Sequence, residues 1–271
     1  MKLSVIITTY NSEEWLSKVL QGYCCQTEND FEVVIADDGS NDKTRLVIES
    51  FQNEFKYPIV HVWQDDDGFQ KCKILNKAIL KSNSEYLLFT DGDCIPRKDF
   101  VKQHLKFKEK SYFLSGGYFK LPMQTSKNIE LENIKLQDCF SISWLIKNGV
   151  SKSFKLSKLT KIHLFAIFMN WLTPTKRTFN GHNTSCFKSD LIAINGFNEE
   201  MQYGGLDREV GERLFNLGIL SKQIRYSAVC LHLDHKRDYA TKETWEKNNE
   251  IRNFNKKNKI IQIKNGINLL K

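Results

Sequence analysis

"EYLLFTDGDCIP", residues 85–96, is a run of large apolar side chains that stops abruptly on two carboxylates, Asp91 and Asp93, one residue apart. The run has the length and composition of a strand buried on both faces. Like charges this close repel unless water, a cation or a protonation shift relieves them. The end of this strand is therefore a candidate site, and an oxygen-rich pair suits Mg²⁺ or Mn²⁺, which favour carboxylates and keep positions for phosphates.

The same grammar recurs upstream. "LSVIITT" (3–9) is a β-branched run ending at Tyr10-Asn11-Ser12, with Ser12 a candidate N-cap for the helical "SEEWLSKVLQGYC". "FEVVIADDGSND" (31–42) is a strand that ends on Asp37, Asp38 and a turn, followed by the helical "DKTRLVIESFQNEF". "IVHVW" (59–63) is a third strand, and "FQKCKILNKAILKS" (69–82) a third helix with Ile74, Ala78 and Ile79 on one face. Strand and helix alternate, which predicts an α/β fold. The expected architecture is a doubly wound, Rossmann-like, mostly parallel central sheet with helices on both faces. Ligands of such sheets collect at the carboxyl ends of the strands, so Thr8 to Tyr10, Asp37 to Gly39, Gln64 to Gly68 and Asp91 to Asp93 should share one edge. Each is also ordinary turn chemistry.

The alternation breaks near residue 111. "YFLSGGYFKLP" (112–122) reads as one strand, and a lysine-rich insert follows over about 124–178, with "KLTKIHLFAIFMNWL" its most apolar part. Either the insert covers the site or rests on a membrane interface, or it is a helix pair packed on the core. Beyond it, "QYGGLDREVGERL" opens a helix at Asp207, "SAVCLHLDH" reads as a late strand, and a basic tail occupies 237–271. Asp207 suits a general base, since a helix N-terminus favours its ionised form, and equally suits an N-cap.

With 271 residues and 41% hydrophobic content, the chain can bury a sizeable core. Its net charge of +8 points to an anionic partner. Scattered basic residues without a recognisable module argue against nucleic acid. Seven cysteines without CxxC spacing fit reduced thiols and a cytoplasmic location. The amino terminus lacks the apolar length and cleavage site of a secretory signal, and no apolar run is long enough to span a bilayer.

"LSVIITTYN", "FEVVIADDGSND", "LLFTDGDCIP" and "SDLIAINGFNEEMQYGGLDREVGERL", in that order, resemble the motifs of the family-two inverting glycosyltransferases, which have the GT-A fold. The resemblance covers roughly 1–120 and 178–236, and its second half is similar to the bacterial galactosyltransferase and chondroitin-polymerase branch. It implies a nucleotide-sugar-binding half over 1–110 and an acceptor-binding and catalytic half over 111–236. It also implies a UDP-sugar donor, and a glycan or lipid-linked acceptor used in surface polysaccharide or lipopolysaccharide synthesis. The excess positive charge, with a basic insert and tail, adds the expectation of a peripheral position at the inner face of the plasma membrane, near a lipid-linked substrate. By it, Thr8, Tyr10 and Asp38 hold the base, Asp91 and Gly92 lie by the ribose, and Gln70, Lys73 and Asn76 line the sugar and diphosphate. Asp91, Asp93 and His235 hold Mn²⁺ or Mg²⁺, Asp207 is the base and Glu209 the fallback, and Tyr203 stacks on the acceptor.

His232 and His235 would face opposite ways on one strand, so both can reach one ion only if the strand turns between them. Leu206 stands where the related pattern carries a second acid, which leaves the acceptor open. A nucleotidyltransferase is an alternative, although its Gly-rich basic loop after the first strand is missing. A silent sugar-nucleotide or glycan-binding module is another.

Overall fold

The computed structural model describes residues 1–235 and 241–270. The tail boundary expected near 236 lies outside the described residues. The first half runs β1 (Leu3–Thr9), α1 (Glu13–Cys24), β2 (Phe31–Asp37), α2 (Asp42–Gln52), β3 (Ile59–Trp63), α3 (Lys71–Lys81) and β4 (Tyr86–Asp91). After it come β5 (Cys94–Pro96), α4 (Phe100–Phe107), β6 (Tyr112–Ser115) and β7 (Gly117–Lys120). The insert contributes α5 (Met123–Asn128), α6 (Leu131–Lys135), α7 (Ile142–Lys147), a 3₁₀ segment at Phe154–Leu159 and α8 (His163–Leu172). The remainder is β8 (Thr184–Phe187), α9 (Lys188–Ala193), α10 (Leu206–Asn216), β9 (Leu220–Gln223), β10 (Val229–His232) and α11 (Lys242–Lys257).

Seven strands form one sheet in the order β3-β2-β1-β4-β8-β6-β9, and only β8 runs against its neighbours. The two-residue period of the strands divides the core. Val5, Ile7, Val33, Ile35 and Leu88 face α1 and α2, while Ile6, Val34, Ala36, Leu87 and Phe89 face α3 and α10. Burial on both faces is what the continuous apolar runs demand. Pairing of Thr9 with Asp37, and of Thr8 with Asp91, brings these polar strand ends to one level.

Two readings of the sequence need correction. "YFLSGGYFKLP" is two strands, because Asn183 presses against Gly116 so closely that any side chain there would collide with its amide. β6 stays in the large sheet, whereas β7 joins β10 and β5 in a second, three-stranded sheet. In that sheet His232 pairs with Cys94 and with Lys120, which carries the end of β10 to the acidic turn. Ser12 does stand before α1, yet its side chain makes no capping bond.

The insert divides in two. Ile129, Ile134, Phe140, Leu145, Leu156 and Leu159 pack into the main core, but α8 buries only Ala166, Met169 and Asn170. Among the described residues no helix is long and apolar enough to cross a membrane. α11 folds back on α10, where Arg252 pairs with Glu212 at 2.6 Å.

Candidate active site

A cleft of about 900 Å³ opens where β1 and β4 leave the sheet, walled by Thr8, Tyr10, Asp38, Lys71, Asp91, Asp93, His182, Tyr203, Asp207, His232 and His235. The two acids that opened the sequence reading are relieved separately. Asp91 Oδ1 accepts hydrogen bonds from Lys71 Nζ at 2.7 Å and from the Thr8 hydroxyl at 2.8 Å. Burial alone would push its carboxyl up, but the Lys71 ammonium and the Thr8 hydroxyl outweigh that and hold it below the usual carboxylate range. Burial likewise opposes the Lys71 charge, and Asp91, Asp207 and Asp93 together raise its pKa.

Asp93 belongs to a different cluster. Its Oδ2 lies 2.9 Å from His235 Nε2 and 3.8 Å from His232 Nε2, and the Cys94 thiol reaches its Oδ1 at 3.2 Å. Against burial, the hydrogen bond from His235 and the charge of His232 lower its pKa. β10 ends at His232, and the chain then turns, so that the two imidazoles stack with ring centres 5.9 Å apart. The strand rule that set them on opposite faces therefore stops one residue too early to apply. His232 Nδ1 donates to the Leu233 carbonyl at 2.9 Å, so Nε2 is the nitrogen that faces Asp93: protonated, it pairs with the carboxylate, and once deprotonated it is the atom that can bind a metal. Ligand atoms of Asp93, Cys94 and His232 lie within 4.8 Å of one another, and His235 meets the same carboxylate; a carboxylate with imidazoles on a cleft wall is a donor set that fits Mn²⁺ or a similar divalent ion. Asp91 stands beside this set with one oxygen already engaged.

On the opposite side, Asp38 accepts from Gln64 Nε2 at 2.7 Å and from the Gln70 backbone N–H at 3.0 Å. Burial outweighs those bonds and pushes its carboxyl up to about 6. Asp37, its neighbour, is structural: it accepts from Ser40 N–H and meets His61 at 2.8 Å. The Tyr10 ring is half exposed over the cleft, its hydroxyl bonded to Asp66 at 2.9 Å. Gly92 N–H donates to the Thr8 carbonyl, clasping β1 and β4 together.

Gln70, Lys73 and Asn76 do not line the cleft. Gln70 is the N-cap position of α3 and turns its amide back to the Asp67 carbonyl. Asn76 is fully buried, holding Phe197 N–H, the Phe197 carbonyl and Glu199. Lys73 falls on the opposite side of α3 from Lys71, which does line the cleft.

Asp207 is the second residue of α10, after Gly205 at the N-cap position, so it is not itself the cap. Its Oδ1 is buried with no hydrogen-bond partner. Desolvation raises its pKa, with Lys71 opposing and Asp91 adding to the rise. The helix N-terminus was expected to favour the ionised form; burial wins instead. Gly204 and Gly205 adopt φ +110° and +77°, and Trp245 of α11 packs where a Gly204 side chain would project. Asn248 donates its amide to the carbonyls of Gln202, Tyr203 and Gly204, fixing this wall from the tail.

Glu209 is not available as a base. It is fully buried, bonded to Arg213 at 2.6 and 2.8 Å and to Asn255 at 2.8 Å. Glu209→Gln should cost about 3 kcal/mol in urea unfolding, since it leaves Arg213 buried without its counter-ion. The turnover of the folded fraction should be unchanged, and a loss of turnover without a loss of stability would return Glu209 to the site.

The model of glycosyl transferase family 2 matches residues 4–173, well over half of the chain. The chain belongs to glycosyl transferase family 2. It is 29% identical over 269 residues to an uncharacterized glycosyltransferase of Bacillus subtilis, covering 87% of this chain and 65% of that protein. It is 24% identical over 242 residues to chondroitin synthase of Escherichia coli, covering 85% and 34%. The chain thus spans between about a third and two thirds of the length of these relatives. Staphylococcus aureus TarS 1-349 in complex with UDP-GlcNAc superposes with TM-score 0.59 at 19% identity, over 88% of this chain and 60% of that one. A mannosyltransferase from Pyrobaculum calidifontis in complex with GDP-Man and Mn²⁺ gives 0.57 at 17%, over 88% and 58%. The fold is accordingly the GT-A type.

Within this family-two cleft, two residues escaped the sequence reading. Lys71 sits at i, i+3, i+4 and i+7 with Ile74, Leu75 and Ala78, so a lysine on the apolar stripe was the available signal. His182 lines the cleft from the loop before β8, against Tyr118 at 4.4 Å between ring centres. Burial depresses its pKa to about 4, leaving it neutral. Nothing in "NGHN" announces that role.

Proposed function

We propose that this chain moves a sugar from a nucleotide diphosphate, UDP in our reading, onto a hydroxyl of a glycan or lipid-linked acceptor, inverting the anomeric carbon. The setting is the assembly of surface polysaccharide or lipopolysaccharide. The observation that carries the proposal is Asp207, a buried carboxylate with one oxygen unpartnered, sharing the cleft with Lys71 and the Asp93 cluster.

In this reading Tyr10 and Asp38 receive the base, and the Lys71 ammonium faces the diphosphate. Tyr203, set edge-on between Phe69 and Trp245, supports the acceptor ring. Asp207 takes the proton of the attacking hydroxyl, and its raised pKa makes it a stronger base than an exposed aspartate. Asp93, His232 and His235, with Asp91 adjacent, would hold a divalent ion, which would neutralise charge building on the departing diphosphate. His182, being neutral, can orient a phosphate or sugar oxygen without adding charge.

The test is a panel of UDP-, GDP-, CDP- and dTDP-sugars with and without Mn²⁺, followed by nucleotide release and by NMR of the anomeric proton. An α-linked UDP-sugar should be consumed only with the metal, and a β-linked product formed. Binding of UDP without any release of sugar would leave a binding module instead.

Asp38 gives a second test. Uracil donates an imide N–H, which an ionised carboxylate accepts more strongly than a neutral one. UDP affinity should therefore strengthen as pH rises through about 6 and be flat in Asp38→Asn, as followed by calorimetry between pH 5 and 8. An unchanged profile in the variant would move base recognition elsewhere.

A further inference from the structure

α8 presents to solvent what a soluble helix hides. Leu164 and Trp171 are each 78% exposed and Phe168 is 51% exposed, at i, i+4 and i+7 on one face, with Ile162, Ile167 and Leu172 beside them. The inward stripe of the helix is narrow: Ala166 and Met169 touch Tyr226, and Asn170 is anchored by Ser227 and the Tyr226 backbone. Water leaves so large an apolar patch uncovered at a cost, and such patches mark surfaces that bind something.

Charge tells what that something is. Between Asp138 and Asp190 the chain has no Asp or Glu and eight Lys or Arg. At the first turn of α8, Arg97, Lys102, Lys106, Lys161 and His163 ring a second cavity of about 400 Å³. Its one carboxylate, Asp99, is fully engaged by Arg97 at 2.6 and 3.0 Å. An apolar ridge flanked by cations, with no acid among the insert's later residues, complements a surface that is greasy inside and anionic at its rim.

We infer that α8 and the basic cavity beside it form a docking surface for a bilayer containing anionic lipid. The ridge enters the acyl boundary, and the cavity takes phosphate headgroups. The 3₁₀ segment that leads into α8 also reaches the cleft, through Lys158 against the Tyr118 carbonyl. Docking would therefore set the cleft wall that carries Tyr118, His182 and His232 beside the membrane. The surface stands on its own geometry, and its test uses no donor, so it can fail or succeed independently of the transferase reading.

The experiment is co-sedimentation with sucrose-loaded vesicles, either phosphatidylcholine alone or with about 30% phosphatidylglycerol. The wild-type chain should pellet with the anionic vesicles, and high salt should release a large part of it. Leu164→Ser/Phe168→Ser/Trp171→Ser should weaken binding by about tenfold or more at every salt concentration. Lys106→Glu/Lys161→Glu should remove the salt-sensitive part. Both variants change exposed side chains, and circular dichroism with thermal melts checks that they fold. The proposal is overturned if wild type ignores anionic vesicles at low salt, or if the ridge variant binds as wild type does. It is equally overturned if light scattering shows a wild-type dimer that the ridge variant dissociates, for then a second copy covers the helix.

Discussion

Asp93→Ala is expected to lower sugar transfer by on the order of 10³-fold, with the Mn²⁺ dependence of nucleotide binding abolished. The reason is the grouping of donors. Asp93 is the carboxylate on which both His235 and His232 converge, at 2.9 and 3.8 Å. Without it, two imidazoles remain, too few and too weak in charge to hold a hard divalent ion against water. Asp91→Asn should behave differently. Lys71, which lies 2.7 Å from Asp91, would lose its nearest counter-charge and turn towards Asp207, lowering turnover by occupying the base while Mn²⁺ binding changes far less. Calorimetric titration of Mn²⁺ with and without UDP separates the two variants. Wild-type turnover and metal response in Asp93→Ala would show that no ion is held there.

The strands of the first half were legible almost to the residue, since "LSVIITT", "FEVVIAD" and "IVHVW" are continuous apolar runs whose ends are polar turns. Their shared edge was legible for the same reason, because parallel strands bring every carboxyl end to one side. What failed depended on partners distant in sequence. The break at Gly116 is imposed by Asn183, and the glycine wall before Asp207 is held by Asn248 and Trp245 from a tail that reads as basic and helical at its start, with nothing to show where it docks. Lys73 follows from the resemblance alone, whereas the lysine that lines the cleft is Lys71. Lys71 shares the face of Ile74 and Leu75, and Lys73, two residues on, is turned about 200° away from it around the helix. Leu206 is instructive as well. It packs into the core and also lines the cleft beside Asp207, so an apolar side chain at this position is accounted for by burial.

Asp207→Asn should separate catalysis from stability. Transfer should fall by about 10²–10⁴-fold, the range for loss of a general base, while UDP affinity stays within about twofold. Glu209, locked to Arg213 and Asn255, cannot substitute. The same change should make the protein more stable at neutral pH, because an ionised carboxylate with an unpartnered buried oxygen is replaced by a neutral isostere. The sign follows from the raised pKa. A group that holds its proton more tightly when folded costs stability increasingly as pH rises from its unfolded value towards its folded one. The melting temperature of the variant should therefore match wild type near pH 4, exceed it as pH rises, and keep a constant lead once the pH has passed the raised folded pKa, as followed by thermal denaturation at fixed ionic strength. A variant that is less stable at pH 7 would mean that Lys71 depends on Asp207 more than on Asp91. One that turns over normally would place the base on another residue of the cleft.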